Sequence, residues 1–346
     1  MIPVTGTIAS SLDDIHDPAV PPDREDVEAP SLDAARDIHR DAVDLARGRM
    51  IFALSCLVLV PALIVIAAFS RSRAFIITLP VFLVAWAAVS VFEWWTLRRS
   101  DPLESWRRER QEDIEERSAK IEHAARIAAN EPVVTLVLAA MIIVVTAAQF
   151  LGAGIRESFA LAGLVKPAVR AGEWWRLLTA TYLHGDLLHL CGNASGLLAL
   201  GTIVEIYDRR LRVPLAYLAG GIAGSVASTV FIADTSVGAS GAILGLLGYA
   251  LAVRVGPRSA PNWMRKRLFG ILGMVALTGV AGYVFIDNAG HAGGVVGGFL
   301  VGLIAARANA RQHAPLIKAL DTCGLIAAAI LGGGALLTIG RLLHAW

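Results

Sequence analysis

Charged residues and cysteines are scarce in this chain. Of its 346 residues 17% are charged, whereas soluble globular proteins have about 25%. The three cysteines, each inside an apolar run, have neither the number nor the spacing of a disulfide framework or a zinc site. The formal net charge is only +2, so the charge balance indicates no nucleic-acid partner. This composition is typical of a membrane protein.

Several motifs are absent as well. The chain has no H-E-x-x-H zinc motif and no pair of aspartates inside its apolar runs. It lacks a Walker or dinucleotide-binding fingerprint, and no cleavable signal peptide is recognisable. No internal repeat relates its two halves, as a transporter with a midplane site would require. We therefore expect neither a metal ion nor another cofactor.

Nine hydrophobic stretches are candidates for membrane helices, which need roughly 20 residues each. They cover residues 50–70, 74–96, 132–152, 186–206, 213–233, 239–255, 268–286, 290–307 and 320–340. Because lipid cannot satisfy an open strand edge, every span should be helical, which predicts an all-α polytopic membrane protein. Pro61 and Pro80 interrupt the first two stretches, which could cross the bilayer twice or form a partly re-entrant pair.

The composition divides the chain into five segments. Residues 1–49, with eleven acidic residues against five arginines, should be a disordered cytoplasmic tail. Residues 50–97 hold the two interrupted stretches as a hydrophobic hairpin, and residues 98–131 should form a charged cytoplasmic helix near the headgroups. Residues 132–307 should form a six-helix core, and residues 308–346 add a linker and a further C-terminal span.

Basic residues cluster at alternate span ends, and this asymmetry predicts the orientation. Cytoplasmic loops of membrane proteins carry the excess of Lys and Arg. The clusters comprise Arg98, Arg99, Arg107, Arg108, Arg110, Arg209, Arg210, Arg212, Arg254, Arg258, Arg265, Lys266, Arg267, Arg307, Arg311 and Lys318. With alternating core spans they all lie on one side, which we take as the cytoplasmic side of a bacterial plasma membrane.

Ser240 begins an apolar stretch, at a depth where polar side chains are costly and usually functional. The free N–H groups and the dipole at a helix start suit a developing oxyanion. The neighbouring Gly238 and Gly241 permit a tight turn and a close approach of substrate backbone. A serine at a helix start is also a common N-cap, so Ser240 alone would not indicate a nucleophile.

His291 begins another span at a similar predicted depth. Gly290, Gly294 and Gly298 line its helix, and a matching glycine series lines the helix of Ser240. Small residues four apart let two membrane helices approach closely. Such a seam would bring Ser240 and His291 within hydrogen-bond reach, as an activated serine requires. A purely structural packing seam is the alternative.

His189 and Asn193 are four residues apart and therefore share one face of a third helix. Both side chains can donate hydrogen bonds to an anion, so they could form a second wall of an oxyanion site. An interhelical polar pair that only holds the bundle together is the alternative explanation.

Together these motifs resemble the rhomboid family of intramembrane serine proteases. The matching motifs are Trp175-Arg176 in the first external loop, His184-x4-His189-x3-Asn193, Gly238-Ala239-Ser240-Gly241, and His291 followed by Gly294 and Gly298. Glu205 also occupies a family position, one that ties together the helices beside the first loop. The resemblance covers roughly residues 132–307.

The resemblance implies a serine endopeptidase in which Ser240 attacks the scissile carbonyl and His291 is the general base. It implies that His189, Asn193 and the Ser240 backbone N–H stabilise the oxyanion. The implied substrates are single-span proteins of the lipid bilayer, cut near the external end of their helix without a cofactor. The family often has Tyr four residues after the nucleophile, where it supports the His ring, and Leu244 stands there in this chain.

A non-catalytic rhomboid-like protein that binds membrane helices is the alternative function. Such a protein would be expected to lack Ser240 or His291, and this chain has both. In the protease interpretation, the active site opens to the external side, because Ser240 and His291 both begin spans that enter from that side. No feature of the sequence indicates an oligomeric state.

Overall fold

The computed structural model describes residues 31–58, 73–253, 262–281 and 286–343. Every regular element in these ranges is a helix, apart from one isolated bridge between Leu164 and Ser236. The predicted all-α fold class is therefore confirmed. The first three helices are α1 (Leu32–Cys56), α2 (Arg73–Arg99) and α3 (Pro102–Ala129).

Helix α1 contradicts the disordered tail that we predicted for residues 1–49. The Ser31 hydroxyl caps it by accepting a hydrogen bond from the Ala34 N–H at 3.3 Å. Three alanines on α1 are fully buried: Ala35, Ala46 and Ala53. These small side chains let α1 pack against α2 and α3 although the segment is rich in charge. Residues 1–30 of the predicted tail lie outside the described part of the chain.

The predicted core begins with α4 (Val133–Leu151). Residues 152–186, which we call the first loop, contain α5 (Gly154–Ala162), α6 (Lys166–Arg170), α7 (Arg176–Thr179) and a 3-10 turn at Ala180–Tyr182. The remaining helices are α8 (Leu187–Tyr207), α9 (Arg212–Phe231), α10 (Ser240–Val253), α11 (Asn262–Ala281), α12 (Asn288–Ala310) and α13 (Ala314–Leu343).

Five described helices are long and apolar enough to cross a membrane, namely α4, α8, α9, α12 and α13. The apolar helix α10 is shorter, with 14 residues. The span predicted at 268–286 corresponds to α11, which is not one of the five and ends at Ala281. Of the first two predicted spans, 74–96 lies within α2, whereas 50–70 begins in α1 and continues outside the described residues.

Helices α9, α10 and α12 pack closely enough for their backbones to touch. A Cβ added to Gly220 of α9 would lie 2.5 Å from the Gly245 Cα of α10. A Cβ on Gly298 of α12 would lie 2.6 Å from that same Cα, and one on Gly297 would lie 2.7 Å from the Ala219 carbonyl oxygen of α9. Such distances are far below ordinary contact, so only glycine fits at these crossings. The three helices therefore form a compact group that fixes the starts of α10 and α12 side by side.

Helices α8 and α13 complete the surroundings of this group. α8 packs between α4 and α10, and α13 packs against α4, α9 and the first loop. The Tyr182 hydroxyl in the first loop donates a hydrogen bond to the Leu331 carbonyl of α13 at 2.7 Å. Burial raises the pKa of Tyr182, so its hydroxyl keeps its proton and this bond.

Candidate active site

Ser240 and His291 lie at the adjacent starts of α10 and α12 and form a hydrogen bond. His291 Nε2 is 2.8 Å from Ser240 Oγ, and both residues are half-buried. The Asp287 carboxylate caps α12 by accepting a hydrogen bond from the Gly290 N–H at 2.7 Å. The arrangement has the geometry of a serine nucleophile paired with a histidine base.

The two helices meet through glycine backbones, as we predicted from the spacing. A Cβ on Gly294 would lie 2.8 Å from the Gly241 carbonyl carbon, and closer still to its oxygen. Further along, a Cβ on Gly248 would lie 2.9 Å from the Phe299 nitrogen. Because Gly241 directly follows Ser240, the close approach at Gly294 is what sets the distance between serine and histidine.

Gly238 brings the loop before Ser240 into contact with α8. Its φ is +131°, a conformation that other residues rarely adopt. A Cβ there would lie 2.9 Å from His189 Nε2 and 3.7 Å from Asn193 Nδ2. Asn193 Nδ2 is buried and has no hydrogen-bond partner within the described chain. The two residues therefore lie beside the serine loop, and Asn193 offers an unused donor.

A small cleft with about 50 Å³ of water-accessible volume lies beside the Ser240–His291 pair. Its walls include residues of the first loop and of α9, among them Thr181, Ser225 and Ser228. That volume holds a few water molecules, each of which needs roughly 10–15 Å³. Among the described residues, no group of three or more His, Cys, Asp or Glu side chains could hold a metal ion.

A family model of the Rhomboid domain matches residues 171–308, which include all of these site residues. Rhomboid protease GluP of Bacillus subtilis is 44% identical over 135 residues, which are 38% of this chain and 26% of that protein. RHOMBOID-like protein 6, mitochondrial, of Arabidopsis thaliana is 35% identical over 146 residues, 40% of this chain and 46% of that protein. Residues 171–308 of this chain are therefore a Rhomboid domain.

Rhomboid-like protease 5 of Toxoplasma gondii matches in the same way, with 35% identity over 143 residues, 39% of this chain and 17% of that protein. The chain thus spans between about a sixth and about a half of the length of these three relatives. The rhomboid family includes intramembrane serine proteases. With its Rhomboid domain and its five long apolar helices, this chain is an integral, multi-pass membrane protein.

His184 supports the candidate site from the end of the first loop. Its ring is fully buried, with Nδ1 2.9 Å from the Thr146 hydroxyl oxygen. It also meets the His189 ring edge-on, with centroids 5.2 Å apart. Burial, helped by the nearby His189, lowers the pKa of His184 to about 3. A neutral His184 therefore packs behind His189 at physiological pH.

Two polar residues of α4 hold His184, and sequence reasoning missed them. The Gln149 amide donates to the His184 carbonyl at 2.9 Å and accepts from the His184 N–H at 3.0 Å. Thr146 supplies the contact to the His184 ring. Gln149 and Thr146 are both fully buried. Their polarity inside an apolar span is the signal that would have indicated them.

The Trp175-Arg176 motif folds the first loop and joins it to α13. The guanidinium groups of Arg176 and Arg341 both contact the Trp175 ring, at 4.5 and 3.6 Å from its centroid. Arg176 donates to the Glu173 carboxylate at 2.6 Å and to the Gly163 carbonyl at 2.9 Å. Neither residue of the motif lines the cleft beside Ser240, so its role is in the architecture of the loop.

Glu205 caps α4 from the far end of α8. Its carboxylate accepts hydrogen bonds from the Val134 N–H at 2.9 Å, the Thr135 N–H at 2.8 Å and the Thr135 hydroxyl at 2.7 Å. The side chain is buried, and it lies about 24 Å along the helix from His189. Glu205 thus connects the two helices that flank the first loop.

Leu244 is buried on α10, one turn after Ser240. Its side chain cannot hydrogen-bond to His291. The second ring nitrogen of His291, Nδ1, is buried and has no hydrogen-bond partner in the described ranges. The orientation of His291 therefore depends on its bond to Ser240 and on the placement of its own backbone.

Proposed function

We propose that this chain is an intramembrane serine endopeptidase that uses Ser240 and His291 as a catalytic dyad. The hydrogen bond of 2.8 Å between His291 Nε2 and Ser240 Oγ is the observation that carries the proposal. The protease named among the relatives supports it. Residues 132–307 would be the protease core, flanked by the N-terminal hairpin and the C-terminal helix.

In the proposed reaction, Ser240 Oγ attacks the scissile carbonyl carbon while its proton passes to His291 Nε2. The carbonyl oxygen becomes an oxyanion, which would accept hydrogen bonds from Asn193 Nδ2, His189 and the Ser240 N–H. Asn193 Nδ2 is already buried beside the serine loop without a partner in the described residues, so binding an oxyanion would satisfy it.

His291 then donates its proton to the leaving amine, and the acyl-enzyme is hydrolysed by a water molecule. The cleft beside Ser240 has room for that water, and its hydroxyl-bearing lining would attract it. No step needs a metal ion or another cofactor, because base, nucleophile and oxyanion donors all come from the chain.

The proposed substrates are single-span membrane proteins cut near the external end of their helix. Ser240, His291 and His189 all lie at helix starts. The basic clusters of the core, such as Arg209 to Arg212 after α8, lie at the opposite helix ends. By the positive-inside rule, this distribution supports a site that opens towards the outer face of a bacterial plasma membrane. Labelling single-cysteine variants near Ser240 with a membrane-impermeant maleimide in whole cells tests this orientation.

The decisive experiment is incubation of the purified protein in detergent with tagged single-span substrates. We expect cleavage by the wild type and none by Ser240→Ala, with a fluorophosphonate labelling only the former. Ser225→Ala is the matched control, because Ser225 lines the same cleft. Its hydroxyl donates a hydrogen bond to the Leu177 carbonyl rather than to His291. If the wild type binds a substrate without cutting it, and the fluorophosphonate does not label the protein, the result would favour the non-catalytic binding function.

A further inference from the structure

A chain of polar side chains runs from the first loop to the start of the His291 helix. The Lys166 ammonium donates to the Ser236 hydroxyl at 2.7 Å. The Ser236 and Ser228 hydroxyls are 3.2 Å apart, and the Ser228 hydroxyl donates a short hydrogen bond to the Asp287 carboxylate. Lys166 and Ser228 are each 1% exposed, whereas Ser236 and Asp287 are half-buried.

Asp287 connects this chain to the backbone of His291. One of its carboxylate oxygens accepts from Ser228, and the other accepts from the Gly290 N–H at 2.7 Å. Its carbonyl oxygen also accepts from the His291 N–H at 2.9 Å. Any movement of Asp287 is therefore transmitted to the first turn of α12, which carries His291.

The same residues also determine the charges near His291. His291 interacts electrostatically with Asp287 at the start of its own helix and with His189 of α8. Those that face Lys166 are Asp287, Asp234 and Arg170. A buried ammonium needs a carboxylate in its surroundings, and Asp287 is the carboxylate that the hydrogen-bonded chain joins to it.

Burial lowers the pKa of Lys166 to about 8, so the ammonium is largely charged at neutral pH. Its positive charge interacts with the Asp287 carboxylate, which is the negative charge that faces His291. The two charges should consequently act on His291 in opposite directions: Asp287 favours the protonated ring, whereas Lys166 disfavours it.

We propose that Lys166 and Asp287, connected through Ser236 and Ser228, are positioning residues that set the location and the charge environment of His291. This arrangement takes over the support that Leu244 cannot give. The inference rests on the proposed proteolytic function, because it assigns these residues to the base of that reaction.

The test is the pH dependence of kcat/KM for substrate cleavage, measured for four proteins with confirmed melting transitions. Lys166→Met keeps the side-chain volume and removes the positive charge. The acid limb of the pH profile, where His291 loses its proton, should therefore move to a pH higher by about half a unit. Asp287→Asn keeps a helix-capping side chain and removes the negative charge, so the limb should move down by a similar amount. The double variant should lie near the wild type.

Arg170→Met is the matched control, because this cation lies on the same short helix but is solvent-exposed. Its charge is screened by water, so the acid limb should stay in place. The rate of fluorophosphonate labelling at each pH provides the same readout without a substrate. If Lys166→Met does not fold, the downward shift in Asp287→Asn decides alone.

Limbs that stay in place in both single variants, or that move in the same direction, would overturn the inference. A merely structural role predicts that outcome, with lower melting temperatures and no opposite shifts. A wild type without Ser240-dependent cleavage or labelling would instead contradict the proposed function. The two failures are therefore distinguishable.

Discussion

Replacing Gly294 with alanine adds one methyl group at the point of the seam between α10 and α12 that lies nearest to Ser240 and His291. Its Cβ would lie 2.8 Å from the Gly241 carbonyl carbon, whereas ordinary contacts begin near 3.4 Å. The helices must therefore separate by at least about 0.6 Å, the difference between these two distances. A shift of that size, if fully transmitted, lengthens the Ser240–His291 distance from 2.8 to about 3.4 Å. That is beyond the roughly 2.6–3.2 Å needed for proton transfer.

We expect Gly294→Ala to lose on the order of 10²-fold in kcat, because misplacement by about 1 Å costs that much in positioned catalysis. Overpacking should also destabilise the fold by about 1–3 kcal/mol. The assay is cleavage of a tagged single-span substrate per mole of monodisperse protein, together with a melting curve in detergent. These two readouts separate damage to the site from loss of folded protein.

Two other glycines provide matched controls. A Cβ on Gly302 would lie 2.8 Å from the Tyr249 carbonyl oxygen in the same seam, but Gly302 is about 16 Å along α12 from His291. Gly302→Ala should therefore lower stability and leave the folded enzyme active. A Cβ on Gly333 of α13 meets nothing within 4 Å, so Gly333→Ala should be neutral or stabilise by up to about 1 kcal/mol. Full activity and unchanged melting in Gly294→Ala would refute the proposed seam geometry.

Further variants test the other groups. Asn193→Ala should reduce kcat by about 10²–10³-fold with little change in the melting temperature. If Asn193→Ala and His189→Ala both cleave at the wild-type rate, the two residues only hold the helices together. Glu205→Gln should destabilise by about 1–3 kcal/mol, because an amide cannot accept from all the donors at the start of α4; unchanged melting would contradict the cap. Burial lowers the pKa of Lys166 from an ordinary 10.5 to about 8, so the folded state loses its proton first. The melting temperature should rise between pH 8 and 10.5 in the wild type, and this increment should disappear in Lys166→Met.

Five of the spans and the contact between Ser240 and His291 could be predicted because their signals are local in the sequence. An apolar run of sufficient length indicates a membrane helix wherever it occurs, and α4, α8, α9, α12 and α13 follow this rule. Glycines at a spacing of four residues define a helix face, so the contact between the helices of Ser240 and His291 was visible in the pattern.

The supporting contacts could not be predicted because each joins residues that are distant in sequence. Lys166 and Ser236 are 70 residues apart, and Gln149 reaches His184 across most of the first loop. Nothing in the sequence says which buried polar side chains become partners. The start of α1 was missed for another reason: a high acidic content indicated disorder, whereas buried alanines provide its packing face.

The position of α13 in the chain has a consequence for biosynthesis. Synthesis proceeds from the N-terminus, and folding begins before it is complete. α13 follows Ser240, His291 and the first loop, yet it supplies the Leu331 carbonyl that holds Tyr182 and the Arg341 guanidinium that covers Trp175. A nascent chain would therefore contain both Ser240 and His291 while its first loop still lacked these two contacts to α13. This order of assembly would delay the finished site until α13 itself had been synthesised and had packed against the first loop.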